Sequence, residues 1–356
     1  MLGLFGLMAL GLIFFMVITL VKNALLGKQL SKDDTFFGPI DLIIPFSAKS
    51  YCPTDVWQNS LFELQKSNPQ LRIHVLFDGP NSFLNAWEEI KNKIPNLEIH
   101  NFPMKPSHVE PISWMIDQVS PKIQGQVVII GEPEVVPSGH AFSSIAKNVI
   151  DKKRNYFVLP QTAKQSIVSE ALSVLNPNLV LISFLGFQKW NRYLTHPLLS
   201  LSQGWIALSL KDFQEIDFKS VRLSNWKEAL SRQWSNEKKK YYLAFGEKFL
   251  VRHYPETTRE LYLRMKNNWK DLWLLRDRSG FWIYFAAAVL WSYPLLCLTH
   301  PIWFMTSFGL LVLFRFFSKI VFQESWKSVL LHPMACLALI GSFVWFIYEK
   351  FTGKKA

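Results

Sequence analysis

Charged side chains are absent from three long stretches of this 356-residue sequence: residues 2–21, 279–314 and 328–348 contain no Asp, Glu, Lys or Arg. A helix that crosses a bilayer needs about 20 apolar residues, so the first and third stretches are long enough for one crossing each and the second for nearly two. His300-Pro301 marks the point where a hairpin within the second stretch would turn. The pattern excludes an ordinary soluble protein and predicts membrane helices at both ends of the chain.

The first apolar stretch also lacks the features of a secretory signal peptide. No basic residue precedes it, and no small-x-small cleavage site follows it. Positive charges follow it instead, at Lys22 and Lys28, and Arg276 and Arg278 precede the second stretch. Because loops rich in Lys and Arg stay inside, we expect residues 23–278 to face the cytoplasm of a multi-pass protein of the cell membrane.

The C-terminal end leaves two alternatives open. If residues 328–348 cross the membrane, the lysines of residues 350–355 end on the outer side, against the charge rule. Either the number of crossings differs, or one C-terminal segment lies in the membrane interface. Residues 316–327, which mix charges with Phe and Trp, are the candidate for an interfacial segment.

Cysteine is scarce, and this scarcity excludes further classes of protein. Cys52, Cys297 and Cys336 show no metal-ligand spacing and no obvious partner, so the sequence implies neither a disulfide nor a zinc site. The net charge of +12 could suggest nucleic acid, but Lys and Arg also collect beside anionic lipid headgroups. We therefore expect a membrane and no nucleic acid as partner. The lack of charges inside the apolar stretches argues against an ion pathway.

Between the apolar ends, short apolar runs alternate with stretches of helical pattern. Strands are predicted at residues 40–45, 71–77, 97–102 and 126–131, and helices at residues 56–66, 83–94 and 111–119. Alternation of this kind is typical of a mostly parallel sheet with helices on both faces. We therefore predict an α/β domain whose ligand binds beyond the carboxyl ends of the strands.

Carboxylates follow two of the predicted strands. Asp78 comes directly after the second strand and could accept hydrogen bonds from a ribose or a base edge. Glu132 and Glu134 follow the fourth strand; two apart in extended backbone, they would point the same way and share a hard cation with a diphosphate. The alternative is structural, because Asp-Gly and Glu-Pro are also ordinary turn sequences.

The order and spacing of these segments resemble the membrane-anchored family 2 glycosyltransferases, which have a GT-A fold. Ile43-Ile44-Pro45 resembles the opening strand, Phe77-Asp78-Gly79-Pro80 the nucleotide turn, and Glu132-Pro133-Glu134 the metal motif. Residues 202–208 resemble the acceptor-side segment, and residues 249–254 the Arg-x-Tyr segment. The nearest subgroup is the one associated with carotenoid and hopanoid lipids.

The resemblance implies a domain organisation and a reaction. Residues 1–22 would be an N-terminal anchor, 36–255 a cytoplasmic GT-A nucleotide-diphospho-sugar transferase-like domain, 256–278 an amphipathic interfacial helix and 279–349 a membrane hairpin plus one further segment. The activity implied is that of a hexosyltransferase that moves a sugar from a nucleotide diphosphate to a lipid acceptor. Trp269, Trp273, Phe281 and Trp282 would form an aromatic belt that borders the acceptor's entrance or simply anchors the helices.

Site residues also follow from the resemblance. Pro45, Lys49, Asp78 and Gly79 would bind the nucleotide sugar. Glu132 and Glu134 would bind a divalent cation, Mg²⁺ or Mn²⁺. Glu228 would be the catalytic base that takes the proton from the acceptor hydroxyl.

Several positions depart from the family pattern and keep an alternative open. Lys49 stands near the place of a carboxylate, Phe77 replaces the first aspartate of the nucleotide turn, and both residues of the metal motif are glutamates. Residues 224–228 replace a pair of acidic residues, and only Glu228 could serve as base. The alternative is a catalytically silent relative that acts as a membrane scaffold or partner subunit.

Overall fold

The structure is a computed structural model that describes residues 2–26, 28–29, 36–46, 52–79, 83–102, 109–138, 141–162, 204–218, 226–227, 230, 241–246, 250–253, 257–274, 278–322 and 326–352. Its helices are α1 (Leu2–Leu26), α2 (Thr54–Ser67), α3 (Leu84–Lys91), α4 (Pro111–Val119), α5 (Ala141–Lys152), α6 (Leu210–Gln214), α7 (Thr258–Leu274), α8 (Ser279–Leu296), α9 (Pro301–Phe322), α10 (Trp326–Leu330) and α11 (His332–Thr352). Its strands are β1 (Lys28–Gln29), β2 (Ile40–Phe46), β3 (Leu71–Phe77), β4 (Leu97–Asn101), β5 (Val127–Ile130), β6 (Val135–Pro137), β7 (Asn155–Leu159), β8 (Gln161–Thr162), β9 (Trp205–Ser209), β10 (Tyr241–Phe245) and β11 (Leu250–Arg252).

Most of the described strands form one sheet, in the order β1-β10-β7-β9-β5-β2-β3-β4. β2 pairs in parallel with β3 and β5, and β3 pairs in parallel with β4. β9 is the exception, because it runs antiparallel between β5 and β7. The predicted α/β domain with a mostly parallel sheet is therefore confirmed, and the four predicted strands are β2 to β5.

Helices cover both faces of this sheet. On one face, α2, α3 and α5 contribute the buried side chains Trp57, Trp87 and Phe142. On the other face, α4 contributes Met115 and Ile116. A parallel sheet is buried on both sides in this way, which explains why its strands are continuous apolar runs.

Pro45 lies inside β2, whereas the sequence predicted that it would end the strand. β2 pairs with β5 only as far as Ile43, whose carbonyl accepts a hydrogen bond from the Gly131 amide at 2.8 Å. Residues two apart in a strand direct their backbone groups to the same side, so Pro45 faces the side where pairing with β5 has ended. Its missing N–H is not needed there, and the strand continues to Phe46 through its pairing with β3.

A second, smaller sheet with the order β6-β11-β8 was not predicted. β11 pairs antiparallel with β6, which follows the Glu132-Pro133-Glu134 turn, and in parallel with β8. Arg252 is the register partner of Val135 in this sheet. The small sheet therefore brings residues near the end of the globular domain against the turn that follows β5.

Three of the described helices are long and apolar enough to cross a membrane: the spans are Gly6–Asn23 in α1, Pro301–Val321 in α9 and His332–Thr352 in α11. The sequence predicted four crossings, and α8, with 18 residues, is not among these three. The predicted turn is confirmed, since α8 ends at Leu296 and α9 begins at Pro301. The predicted interfacial segment is divided between the end of α9 and the short α10.

Helix α7 packs along α11. The Trp269 indole N–H donates to the Ser342 hydroxyl at 3.2 Å, and Lys266 forms an ion pair with Glu349 at 2.7 Å. Trp269 and Phe281 are buried among these helices, whereas Trp282 is 58% exposed. Two of the four residues assigned to an aromatic belt are therefore interior packing residues. The interfacial position of α7 stays a prediction.

The globular domain is joined closely to the long apolar helices. A continuous cluster of buried apolar side chains includes Leu20 of α1, Trp269 of α7, Phe314 of α9 and Ile116 of α4. One residue separates α1 from β1, which pairs in parallel with β10 at the edge of the large sheet. The sheet is thus connected to the first apolar helix without a linker.

Candidate functional site

The strands β2, β3 and β5 are parallel, so their carboxyl ends lie at one edge of the sheet. Asp78 and Gly79 follow β3 at this edge, where Asp78 is partly buried and Gly79 is buried. Gly79 has a φ of 105°, a backbone conformation that other residues rarely adopt. The predicted turn after the second strand is therefore present, with a carboxylate at the position where ligands of such sheets bind.

Phe77, at the place of the family's first turn aspartate, fills the core. Its side chain is fully buried and stacks on Phe46, with the ring centroids 4.7 Å apart. A carboxylate at this position would be buried among aromatic rings, which would cost free energy without a charged partner. Of Phe77 and Asp78, only Asp78 carries a carboxylate.

The backbone of the Glu132-Pro133-Glu134 segment forms a turn, which corrects the expectation of an extended segment. The Val135 amide donates to the Glu132 carbonyl at 2.9 Å, and this hydrogen bond closes the turn. The Trp57 indole N–H donates to the Pro133 carbonyl at 2.7 Å, and the His253 amide donates to the Glu134 carbonyl at 2.8 Å. Contacts from α2 and from the residue after β11 therefore hold the backbone of this turn in place.

Each of these glutamates contacts a buried cation. The Lys227 ammonium forms an ion pair with Glu132 Oε1, and Arg252 Nη2 donates to Glu134 Oε2 at 3.3 Å. The Lys227 and Arg252 side chains are only 4% and 2% exposed. Burial raises the pKa of the Glu132 carboxyl, and the charge of Lys227 opposes that rise. We refer to these four residues as the glutamate cluster.

The arrangement does not fit a divalent cation held by the two glutamates. A hard cation needs carboxylate oxygens as ligands, and in this cluster one oxygen of each glutamate already contacts an ammonium or a guanidinium group. A divalent ion in the same place would also lie beside two buried positive charges. The metal assignment at Glu132 and Glu134 stays a prediction, and no step of the reaction below depends on it.

Two of the predicted site residues, Lys49 and Glu228, lie outside the described residues. Pro45 is described and lies in β2, beside the edge at which Asp78 and Glu132 are found. Sequence reasoning missed the roles of Lys227 and Arg252. The available signal was general: a carboxylate placed at the end of a buried strand needs a cation beside it.

A second group of side chains was also missed. His74 in β3 and Glu98 and His100 in β4 bring three possible ligand atoms within 4.8 Å of one another. In the described part of the chain this His–Glu cluster is the group that could hold a metal ion. The sequence signal was the Glu-x-His spacing at residues 98–100, which places both side chains on one face of a strand.

Comparisons with known proteins give a fold likeness only. No protein-family model matches the chain, and no curated protein matches it. A mannosyltransferase from Pyrobaculum calidifontis, solved with GDP-Man and Mn²⁺, is 11% identical, with 95% of this chain and 99% of that chain covered and a TM-score of 0.49. TarS residues 1–349 from S. aureus with UDP-GlcNAc is 11% identical, with 89% and 92% covered and a TM-score of 0.41. These values are too low to support an argument about function, so the proposal below rests on the site.

Proposed function

We propose that this protein is a glycosyltransferase that moves a sugar from a nucleotide diphosphate to a lipid acceptor at the cytoplasmic face of the cell membrane. The observation that carries the proposal is the position of Asp78 and the glutamate cluster at the carboxyl edge of a parallel sheet. Ligands of open α/β sheets bind at this edge. A nucleotide diphosphate presents both hydroxyl donors and negative charges, and this edge offers partners for both.

The donor would lie across the ends of β2, β3 and β5. The Asp78 carboxylate would accept hydrogen bonds from the ribose or the base, and the Gly79 turn lets the backbone approach the donor closely. Two strand spacings, or about 10 Å, separate the ends of β3 and β5. A nucleotide diphosphate is long enough to reach from Asp78 to the glutamate cluster.

Lys227 and Arg252 would face the diphosphate. Glu132 and Glu134 keep these cations in fixed positions, so the cluster as a whole is close to neutral and does not repel an anion as two bare carboxylates would. Fixed positive charge beside the leaving diphosphate stabilises the charge that develops as the bond to the sugar breaks. Lys49 would add to this charge.

The proposed chemical step is a displacement at the sugar's anomeric carbon. The acceptor hydroxyl oxygen forms the new bond while the diphosphate leaves with the electron pair of the old one. A base takes the hydroxyl proton, and we assign this role to Glu228, which follows Lys227 of the glutamate cluster in the chain. The ion pair of the neighbouring Lys227 with Glu132 supports this assignment.

The lipidic nature of the acceptor is inferred from the connection between the sheet and the apolar helices. β1 joins the sheet one residue after α1, and buried side chains continue from the helices to the α4 face. This connection would hold the site close to a bilayer, where an apolar acceptor is concentrated by partitioning. The exposed Trp282 on α8 would be available to lipid.

The proposal can be tested on the full-length protein in detergent by calorimetric titration with UDP and GDP, each with Mn²⁺ and with EDTA. We expect binding of at least one nucleotide, and an Asp78→Ala variant should bind it at least tenfold more weakly, which corresponds to about 1.4 kcal/mol. Asp55→Ala, a change at an exposed residue of α2, is the matched control and should bind as the parent does. If the nucleotide still binds in EDTA, Lys227 and Arg252 are the partners of the diphosphate. If binding requires Mn²⁺, the prediction that Glu132 and Glu134 hold a metal ion is supported.

The second candidate function is a catalytically silent membrane scaffold. Phe77 in the core and the ion pairs of both glutamates are the observations that favour it, because each removes a carboxylate from the family's pattern. A scaffold would bind neither nucleotide and would transfer no radiolabelled sugar to a lipid extract. Transfer to the extract, lost in Asp78→Ala and kept in Asp55→Ala, would exclude it.

A further inference from the structure

The His–Glu cluster arises from the register of β3 and β4. His74 and Glu98 are direct partners across the two strands, and His100 lies two residues further along β4. Residues two apart in a strand project from the same face, so all three side chains share the face of the sheet that α4 covers. Along β3, His74 precedes Asp78 by four residues, or about 13 Å at the rise of a strand. The cluster is therefore a separate place from the proposed donor site.

The distances within the cluster match those between ligands of one small cation. His74 Nδ1 is 3.4 Å from His100 Nε2, and Glu98 Oε2 is 3.3 Å from His100 Nε2 and 3.9 Å from His74 Nδ1. A tetrahedral zinc ion with ligands at 2.0–2.1 Å would hold neighbouring ligand atoms about 3.3–3.4 Å apart. Two of the three distances meet this value, and a small rotation of the exposed Glu98 side chain would bring the third into range.

The surroundings of His74 favour metal binding by its side chain. Its Nε2 faces Asp41 Oδ1 at 3.5 Å, so that its Nδ1 is directed to the cluster. Asp41 is buried and is itself held by the amides of Gln124 and Gly125 at 2.8 and 2.6 Å, and by Arg72, whose Nε lies 2.8 Å from the Oδ1 atom. A carboxylate behind a histidine ligand orients the ring and raises its basicity, and metal-binding histidines almost always have such a partner.

The cluster is also open to an ion from solution. The Glu98 side chain is 54% exposed and β4 is the last strand at this edge of the described sheet. Lys122, itself 59% exposed, lies 3.9 Å from Glu98 Oε2. An incoming cation would displace this exposed ammonium, and a water molecule could complete the coordination at the solvent side.

We propose that His74, Glu98 and His100 form a binding site for a borderline divalent cation such as Zn²⁺, which fastens the edge strand β4 to β3. Two imidazoles and one carboxylate suit Zn²⁺ rather than Mg²⁺ or Ca²⁺, which prefer ligand sets made of oxygen. Because its ligands come from two strands, a bound ion would add a cross-link to the hydrogen bonds of this edge pair.

The test uses the full-length protein in detergent, stripped with a chelator and titrated with Zn²⁺, and separately with Co²⁺, whose visible absorption reports four-coordinate binding. We expect one equivalent to bind and to raise the midpoint of thermal unfolding. His100→Ala and Glu98→Gln should each weaken binding at least tenfold and abolish that rise. His74 is almost fully buried, so the more accessible His100 and Glu98 keep the test clear of variants that fail to fold.

Two controls distinguish this site from accidental binding. His300→Ala removes an exposed histidine in the turn between α8 and α9 and should leave Zn²⁺ binding unchanged. Lys122→Ala removes the competing ammonium and should leave the affinity unchanged or tighten it. Absence of stoichiometric binding, or equal binding by the parent, His100→Ala and Glu98→Gln, would overturn the proposal and leave the cluster as a hydrogen-bonded group at the sheet edge.

Discussion

At the scale of single residues, Lys227 and Arg252 decide the character of the candidate site. Their partners Glu132 and Glu134 lie 95 and 118 residues away in the chain. A sequence shows the glutamates and the cations separately, and only the folded sheet brings them together. The Asp78-Gly79 turn differs in this respect, because its chemistry is local and the sequence alone was enough to predict it.

The first residue-scale prediction concerns the Arg252–Glu134 pair. Arg252→Met should lower the free energy of unfolding by about 3 kcal/mol, because removal of one partner leaves a largely buried carboxylate without its guanidinium. Thermal unfolding can be followed with a maleimide dye that reacts with Cys52, Cys297 and Cys336, all of which are buried.

Arg259→Met is the matched control, since Arg259 is exposed on α7 and should change stability by less than about 0.5 kcal/mol. The Arg252→Met, Glu134→Gln double variant should lose less than the sum of the two single changes, because the pair is then removed together. Additive losses would contradict the ion pair.

A second residue-scale prediction concerns the reactivity of Cys52. Burial, assisted by the charge of Glu134, raises the pKa of this thiol to about 12 against the opposing hydrogen bonds of Thr54 and Trp87. Only the thiolate reacts with maleimides, so labelling of native Cys52 should stay slow between pH 7 and pH 9. In denaturant the labelling rate should rise steeply over the same range, and mass spectrometry of the Cys52 peptide measures both. Fast labelling of the folded protein would contradict the buried thiol.

At the scale of elements, the sequence predicted the four central strands and the turn between α8 and α9 correctly. Apolar runs are local signals, and a parallel sheet buried on both faces makes them strong, whereas Pro45 did not end its strand. The β6-β11-β8 sheet was not predicted because its strands are only two or three residues long and the paired strands are more than 80 residues apart in the sequence. The packing of α7 on α11 was not predicted either. An amphipathic sequence pattern is the same whether the apolar face of the helix contacts lipid or a second helix.

The element-scale prediction compares two tryptophans that the sequence analysis had treated as equivalent. Trp269→Ala should destabilise the protein by about 3–5 kcal/mol, because it removes a buried indole between α7 and α11 together with its hydrogen bond to Ser342. Trp282→Ala should have a small effect in detergent, since this side chain is mostly exposed. Thermal unfolding of the two variants measures the difference. Equal losses would mean that α7 does not pack on α11 as described.

At the scale of the whole molecule, the order of apolar helices, sheet and apolar helices follows from the sequence, whereas the number of helices able to cross a membrane does not. The described helices that are long and apolar enough to cross a membrane are α1, α9 and α11, and α8, whose 18 residues carry no charged side chain, is not among them. The orientation of residues 23–278 stays a prediction, because it depends on the distribution of Lys and Arg.

The corresponding prediction uses two introduced cysteines. Lys152→Cys, at the exposed end of α5, should be labelled by an impermeant maleimide in inverted vesicles and not in intact cells. His300→Cys, in the exposed turn between α8 and α9, should be labelled in intact cells if α8 crosses the membrane. The native cysteines are buried and contribute little background. Labelling of Lys152→Cys in intact cells would reverse the orientation, and labelling of both variants from the cytoplasmic side would reduce the crossings to those of α1, α9 and α11.

The contact between α1 and α9 also affects when α1 can reach its final packing during synthesis. α1 leaves the ribosome well before α9, which begins only at Pro301. At a synthesis rate of roughly 5–20 residues per second, α9 is completed on the order of tens of seconds after α1. During this interval the apolar side chains of α1 that pack on α9 face lipid or the insertion machinery, so a helix that is made early reaches its final place late.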